Sequence, residues 1–201
     1  APDNVVTIPY NRSLGSTSTN TGTVLTLTNG VLNNTGYTLT VQNTNTTAIN
    51  TPSAGRYITG KLARVIPANL TTNATYLFPV GKSGSNSFEL VNPNTTTDGQ
   101  VTVAVEVVDG DMGGTAGSSL RILNTARYWS AEIVDGAANF TNSNVRLNDT
   151  RGAFNVVGQS ATANGTYELA GGFPATLTSS SILTIAPKLT SLGYFVMAEP
   201  G

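Results

Sequence analysis

Hydrophobic and polar residues alternate at a period of two along much of this chain. Leu25 and Leu27 alternate with threonines, and Leu39 and Val41 do the same after a short break. Because successive side chains of a β-strand point to opposite faces, this period predicts strands with one buried and one solvent-facing side. The segments between glycines and prolines are rich in β-branched residues, and no convincing helix is predicted. The pattern therefore predicts an all-β protein.

The same alternation continues through the rest of the chain. Its clearest example is the run Val101, Val103, Val105 and Val107. Further strands are predicted over residues 56–65 and 76–81, and around Trp129/Ala131/Ile133, Val145/Leu147, Phe154/Val156, Tyr167/Leu169, Leu183/Ile185 and Phe195/Met197. Roughly eight short strands separated by turns are typical of an antiparallel β-sandwich of the Ig-like or jelly-roll-like kind.

The N-terminal third of the chain allows two architectures. Asn29-Gly30 is a strong signal for a two-residue hairpin, because both positions of a type I′ turn tolerate a positive φ. Alternatively, the segments around Leu25 and Leu39 stack as successive coils of a short β-solenoid, each covering the apolar face of the other. A break at Pro67 predicts a β-hairpin or short β-solenoid unit over residues 1–66 and a β-sandwich over residues 67–201, unless both form one continuous domain.

The chemistry open to this chain is limited by two missing residue types. The chain contains no histidine and no cysteine, which excludes a Ser-His-Asp relay, a thiolate nucleophile and the usual zinc and iron sites. A carboxylate pair of the glycosidase type remains. Glu106 and Glu132 both lie on predicted outward faces, where acids are ordinarily solvated. We therefore expect a protein that is not an enzyme.

Charge and polarity indicate the environment and the partners. Only 10% of the residues are charged, against roughly 25% in an average soluble domain, and the formal net charge is −1. This charge gives no electrostatic footprint for nucleic acid, and no apolar run reaches the ~18 residues of a membrane helix. Thr, Asn and Ser supply about a third of the chain. The composition favours an extracellular protein of the cell surface, with no nucleic-acid partner and no membrane insertion.

The aromatic residues raise the possibility of carbohydrate binding, because an aromatic ring can stack on the apolar face of a pyranose. Trp129 shares its predicted strand face with Ala131 and Ile133, so we expect it in the core. Tyr128 points the other way, to the same side as Glu132. Tyr128 and Glu132 are therefore the candidate glycan-binding residues, and a glycan or a surface protein is the expected partner.

Asp109 and Asp111 form an Asp-x-Asp motif at the start of a glycine-rich loop over residues 111–119. Calcium needs six to eight oxygen ligands, and an EF-hand would continue with Asp or Asn where this chain has Gly113. We expect a polar turn here, with a calcium site at Asp109 and Asp111 as the alternative. No other cofactor is expected.

The N-terminal segment over residues 4–10 reads NVVTIPY and has the composition of a strand. Such a strand could add to the edge of a sheet in a neighbouring molecule. A homopolymer joined through this N-terminal strand is a further alternative.

Short motifs along the chain resemble those of a known group of bacterial proteins. They are residues 25–32 (LTLTNGVL), 39–43 (LTVQN), 56–62 (RYITGKL), 76–81 (YLFPVG), 127–129 (RYW) and 193–198 (GYFVMA). Together they resemble repeated modules of very long cell-surface proteins of gliding-type bacteria, exported by the type IX secretion route. The resemblance implies an adhesin or stalk segment and brings no catalytic residues with it.

Overall fold

A computed structural model describes residues 4–17, 22–50 and 55–201 of the chain. The strands of its N-terminal part are β1 (Val5–Thr7), β2 (Arg12–Leu14), β3 (Leu25–Thr26), β4 (Val31–Asn33), β5 (Thr38–Val41), β6 (Ile49–Asn50), β7 (Tyr57–Ile58) and β8 (Lys61–Ile66), with a 3₁₀ turn at Thr46–Ala48. The strands that follow are β9 (Thr75–Phe78), β10 (Phe88–Thr95), β11 (Val101–Asp109), β12 (Thr115–Ala116), β13 (Leu120–Leu123), β14 (Arg127–Asp135), β15 (Phe140–Asn148), β16 (Val156–Ser160), β17 (Thr166–Leu169), β18 (Thr176–Leu177), β19 (Ser181–Leu183) and β20 (Gly193–Pro200), with a second 3₁₀ turn at Ala137–Asn139. The prediction of an all-β protein is confirmed. Within the described ranges, no helix is both long and apolar enough to cross a membrane.

The N-terminal part is a short β-solenoid. Its strands pair in parallel with the strand one coil further on, in the orders β1-β4-β7, β2-β5-β8 and β3-β6. Val31, for example, lies between Val5 of the coil before and Tyr57 of the coil after. This parallel stacking is the solenoid alternative of the sequence prediction.

The hairpin alternative at Asn29-Gly30 is wrong. The strands on either side of this turn, β3 and β4, belong to different sheets and do not pair. Gly30 has a φ of +79° and turns the chain around a corner of the coil. The two segments proposed to stack on each other, around Leu25 and Leu39, also lie in different sheets, and each is covered by residues about one coil away in sequence.

A buried asparagine holds one corner of the solenoid. Asn34 donates from Nδ2 to the carbonyls of Tyr37 (3.1 Å) and Lys61 (2.9 Å), and its Oδ1 accepts the Gly60 N–H at 3.0 Å. A Cβ on Gly60 would come within 2.5 Å of the Asn34 carbonyl oxygen, so only glycine fits against this corner. The side chain thus satisfies backbone groups that the corner takes out of the strand ladders.

One strand belongs to both the solenoid and the sandwich. β8 pairs in parallel with β5 of the solenoid and antiparallel with β11. The result is a ten-stranded sheet in the order β12-β17-β16-β20-β14-β11-β8-β5-β2, with β13 paired to β20. The boundary predicted between residues 66 and 67 therefore comes directly after β8, a strand that is hydrogen-bonded to the solenoid on one side and to the sandwich on the other.

The sandwich core lies between this sheet and a five-stranded sheet in the order β18-β19-β15-β10-β9. Val101, Val103, Val105 and Val107 of β11 are all buried, as their alternation predicts. Trp129 is fully buried and donates from Nε1 to the Asn86 carbonyl at 2.8 Å, which confirms the prediction of a core tryptophan.

An arginine that has no acidic partner among the described residues is buried where the solenoid meets the sandwich. Arg64 is 0% exposed; it donates to the carbonyls of Leu77 (2.9 Å) and Asn45 (2.7 Å) and lies over the Tyr76 ring, 5.0 Å from its centroid. Burial lowers the pKa of Arg64 to about 10, which leaves the guanidinium charged at neutral pH. Burial likewise raises the pKa of Tyr76 to about 12, while Arg64 pulls it down. The arginine links residues of the solenoid to the opposite sheet of the sandwich.

The outer face of the ten-stranded sheet, which points away from the five-stranded sheet, carries a second apolar cluster. Its buried members are Met112, Leu120, Val156, Tyr167, Val196 and Ala198. The glycine-rich segment predicted as a loop supplies Met112 and contains β12, which pairs with β17. This segment therefore covers part of the outer face.

Candidate functional site

Tyrosine and glutamate side chains meet on the outer face of the ten-stranded sheet. On β14, Ser130 pairs with Glu106 of β11 on one side and with Tyr194 of β20 on the other. Tyr128 and Glu132 lie two positions before and after Ser130, so they share its face. We call these five residues the tyrosine–glutamate patch.

The two tyrosine rings of the patch support each other. The rings of Tyr128 and Tyr194 lie with centroids 6.3 Å apart and planes tilted by 47°, and both pack against the second apolar cluster. Burial raises the pKa of Tyr128, and the nearby Tyr194 and Glu106 raise it further. In the described part of the chain, neither phenol hydroxyl makes a hydrogen bond. Both tyrosines are only half-buried, so part of each ring faces solvent.

Each glutamate of the patch has a lysine beside it. Glu132 lies 3.5 Å from Lys61 Nζ, with 60% of its side chain exposed, and Glu106 lies 3.6 Å from Lys82 Nζ. The two acids are diagonal neighbours on antiparallel strands, a position in which residues are ~7–8 Å apart and their Cβ atoms somewhat closer. A glycosidase acid, however, sits in an apolar pocket that keeps it protonated. Glu132 has no such pocket, because a lysine lies beside it and most of its side chain is in solvent.

A cleft of about 500 Å³ opens beside the patch, where β14 and β20 separate. The last pair that joins these strands is Ala131 with Gly193, and β14 continues to Asp135 beyond it. The polar part of the lining is Ser130, Glu132, Thr190, Ser191 and Tyr194, and the apolar part includes Ile133, Phe140 and Leu192. Because residues from both faces of β14 line it, the cleft follows the edge of that strand.

The structure places both predicted glycan-binding residues in the patch, but only Glu132 lines the cleft. Tyr128 lies outside the lining and contacts Tyr194, which does line it. Tyr194 was not singled out as a site residue. The sequence does contain a signal for Tyr194: it precedes Phe195, a predicted core residue, so its ring lies on the opposite face of the strand.

The two aspartates proposed for calcium each contact another group of the protein. Asp109 accepts from Arg127 Nε at 2.7 Å, and Arg127 also pairs with Asp149 and donates to Ser83 Oγ. Asp111 accepts the Gly113 N–H at 2.8 Å, which is the hydrogen bond of a polar turn. Over the described ranges, no group of three or more acidic side chains could hold a metal ion.

Replacing Asp109 with alanine should lower stability by the same amount with and without calcium. We expect a loss of about 1 kcal/mol, because Arg127 loses one of its two carboxylate partners near the surface. Asp111→Ala should change stability by less than about 0.5 kcal/mol. Thermal melts in calcium and in EDTA measure this. A calcium-dependent rise in the melting temperature of the parent protein that Asp109→Ala abolishes would contradict it.

The N-terminal strand proposed for exchange between molecules lies within its own chain. β1 pairs with β4 and is the outermost described strand of its sheet, and Val5 and Val6 are exposed. Polymer formation through this strand stays a prediction.

The patch and the cleft are the features of the described residues that bear on ligand binding. Comparisons with protein-family models, with curated proteins and with solved structures find no match. Any function assigned to this chain therefore rests on its own residues and fold.

Proposed function

We propose that this chain is a non-catalytic structural and adhesion module of a bacterial surface protein, acting outside the cell. The observation that carries this proposal is the ten-stranded sheet, which joins the solenoid and the sandwich through β8. Bending between the two parts would break the backbone hydrogen bonds on one side of β8. A module built in this way is suited to hold a binding surface at a fixed distance and angle from its anchor.

The composition supports the same function. The absence of histidine and cysteine leaves little for catalysis, and the lysines beside Glu106 and Glu132 disfavour a glycosidase pair. Thr, Asn and Ser supply about a third of the chain while few residues are charged, and the motifs resemble type IX-exported modules. Each of these features favours a surface and its contacts over a reaction.

Antibodies raised against the purified chain should label intact cells of the organism that encodes it. Mild proteolysis of those cells should remove the label, because the module lies outside the cell. An antibody against a cytosolic protein of the same cells is the control and should label only after permeabilisation. Labelling that appears only after permeabilisation would count against the proposed location.

A second candidate function is carbohydrate binding, and the tyrosine–glutamate patch favours it. A purely structural module needs only stiffness, whereas a carbohydrate-binding module needs an accessible aromatic ring next to hydrogen-bonding groups. Tyr194 meets this need, since it lines a cleft together with Glu132 and Ser130. The two functions are compatible, because an adhesin is a stiff module that carries a binding site.

A further inference from the structure

We infer that the cleft between β14 and β20 binds a neutral oligosaccharide, with Tyr194 as the stacking ring and Glu132 as an acceptor for sugar hydroxyls. This inference rests on the carbohydrate-binding candidate and deepens it, because it names the site and the class of ligand. The volume of about 500 Å³ falls within the range of roughly 300–1,000 Å³ that is usual for small-molecule sites.

Tyr194 is held in place before any ligand arrives. The ring packs against Tyr128 and against the second apolar cluster, so few of its rotamers remain open. Binding to a ring that is already ordered avoids an entropy cost of about 0.5–1.5 kcal/mol for that side chain. A sugar would therefore stack on a ring that is already ordered.

The hydroxyl side chains of the cleft are open to a ligand, whereas Glu132 already has Lys61 beside it. The hydroxyls of Ser130, Thr190 and Ser191 make no hydrogen bond within the described residues. The segment that carries Ser191 is hydrogen-bonded to β16, because Gln159 donates to the Ser191 carbonyl at 2.9 Å. Sugar hydroxyls both donate and accept, so they match serine and threonine hydroxyls as well as a carboxylate that only accepts.

The charge of the lining selects against acidic sugars. Glu132 is the one charged residue among the described residues that line the cleft. A uronate or sulfate there would find no arginine or lysine in the described lining to bind it, and the nearby Lys61 already pairs with Glu132. A neutral sugar needs no such partner and can place its apolar face against Ile133, Phe140 and Leu192.

The test is a glycan array that carries both neutral and acidic oligosaccharides, followed by titration of the strongest neutral binder. The parent protein should bind neutral members and not their sulfated or uronic counterparts. Tyr194→Ala should weaken binding about tenfold, because an aromatic anchor is lost. Glu132→Gln should weaken it about fivefold, because the amide keeps one acceptor and loses the charge.

Two further variants keep the test decisive. Ser191→Trp changes an exposed position of the lining and should block the cleft even if Tyr194→Ala folds poorly. Tyr37→Ala removes an exposed tyrosine of the solenoid, away from the cleft, and should leave affinity unchanged. Melting curves verify that each variant is folded.

The outcomes separate the site from the function. If the parent protein binds a neutral glycan but Glu132→Gln and Ser191→Trp do not weaken binding, the site is wrong and carbohydrate binding stands. If the parent protein binds no glycan on the array, both the proposed site and carbohydrate binding are wrong. Tighter binding of acidic than of neutral glycans overturns the assignment of a neutral ligand.

Discussion

Arg64→Ala is expected to lower the free energy of unfolding by about 3–5 kcal/mol. The guanidinium is fully buried and donates to the carbonyls of Leu77 and Asn45, with a longer contact to Thr46 at 3.3 Å. Alanine would leave these carbonyls without their donor and would open a cavity beside the Tyr76 ring. Both effects arise at the junction of the solenoid and the sandwich, where no water can replace the lost side chain without entering the core.

Arg64→Lys separates the charge from the geometry of the guanidinium. Lysine keeps a buried cation but cannot reach carbonyls on both sides with a planar fork, so we expect an intermediate loss of about 2 kcal/mol. Arg121→Ala is the matched control, since Arg121 pairs with Glu199 on the surface with 66% of its side chain exposed. That variant should cost less than about 1 kcal/mol.

Equilibrium unfolding in guanidinium chloride measures these differences through the midpoint at constant slope. If Arg64→Ala costs no more than Arg121→Ala, the buried arginine contributes nothing special and the junction is held by the sheet alone. A change of slope in Arg64→Ala would indicate that the solenoid and the sandwich no longer unfold together.

Alternation predicted most of the strands because it is a local property. The four valines of β11 are an example, since their burial could be predicted from the sequence of that strand alone. Arg64 carries the same kind of signal: it shares the inward side of β8 with Leu62 and Ile66. A charged residue at an inward position could have been recognised as a buried cation. The groups that accept its hydrogen bonds could not have been predicted, because Leu77 and Asn45 lie on other elements.

The choice between hairpin and solenoid depends on partners far away in the sequence. Gly30 adopts a positive φ, whereas Asn29 does not, so the pair turns the chain without forming the type I′ turn of a hairpin. Val31 is covered by Val5 and Tyr57, each 26 positions away by residue number. No local rule joins those three residues, so the sequence left both alternatives open.

β10 was missed for a different reason. It begins with an alternating Phe88 and Leu90 but continues through Asn92 and Pro93, and proline argues against a central strand. The structure accommodates both residues in a bulge, where Asn92 has a φ of +53° and the register with β15 shifts. The strand nevertheless lies between β9 and β15.

The candidate site was predicted in part. Tyr128 and Glu132 share a face because they lie on one strand, which alternation alone establishes. Tyr194 joins them only because β20 pairs with β14, more than sixty residues earlier in the chain. The cleft arises where those two strands separate, and no pattern in either strand marks that point.

Trp129→Ala is the second substitution with a large expected effect, a loss of about 3–5 kcal/mol. The indole is 0% exposed, and its Nε1 donates to the carbonyl of Asn86, itself a buried residue. Trp129→Phe keeps most of the apolar volume but leaves that carbonyl unpaired, so it should cost about 1–3 kcal/mol.

The adjacent Tyr128 provides the control, because it lies on the other face of the same strand. Tyr128→Ala removes an aromatic ring from a half-buried position and should cost clearly less than Trp129→Ala, since its surroundings can relax toward solvent. Urea denaturation compares the variants; circular dichroism must follow it, because Trp129 is the single tryptophan and its fluorescence disappears on substitution. A smaller loss for Trp129→Ala than for Tyr128→Ala would mean that the core lies on the face assigned here to the binding patch, and would remove the basis for the glycan site as well.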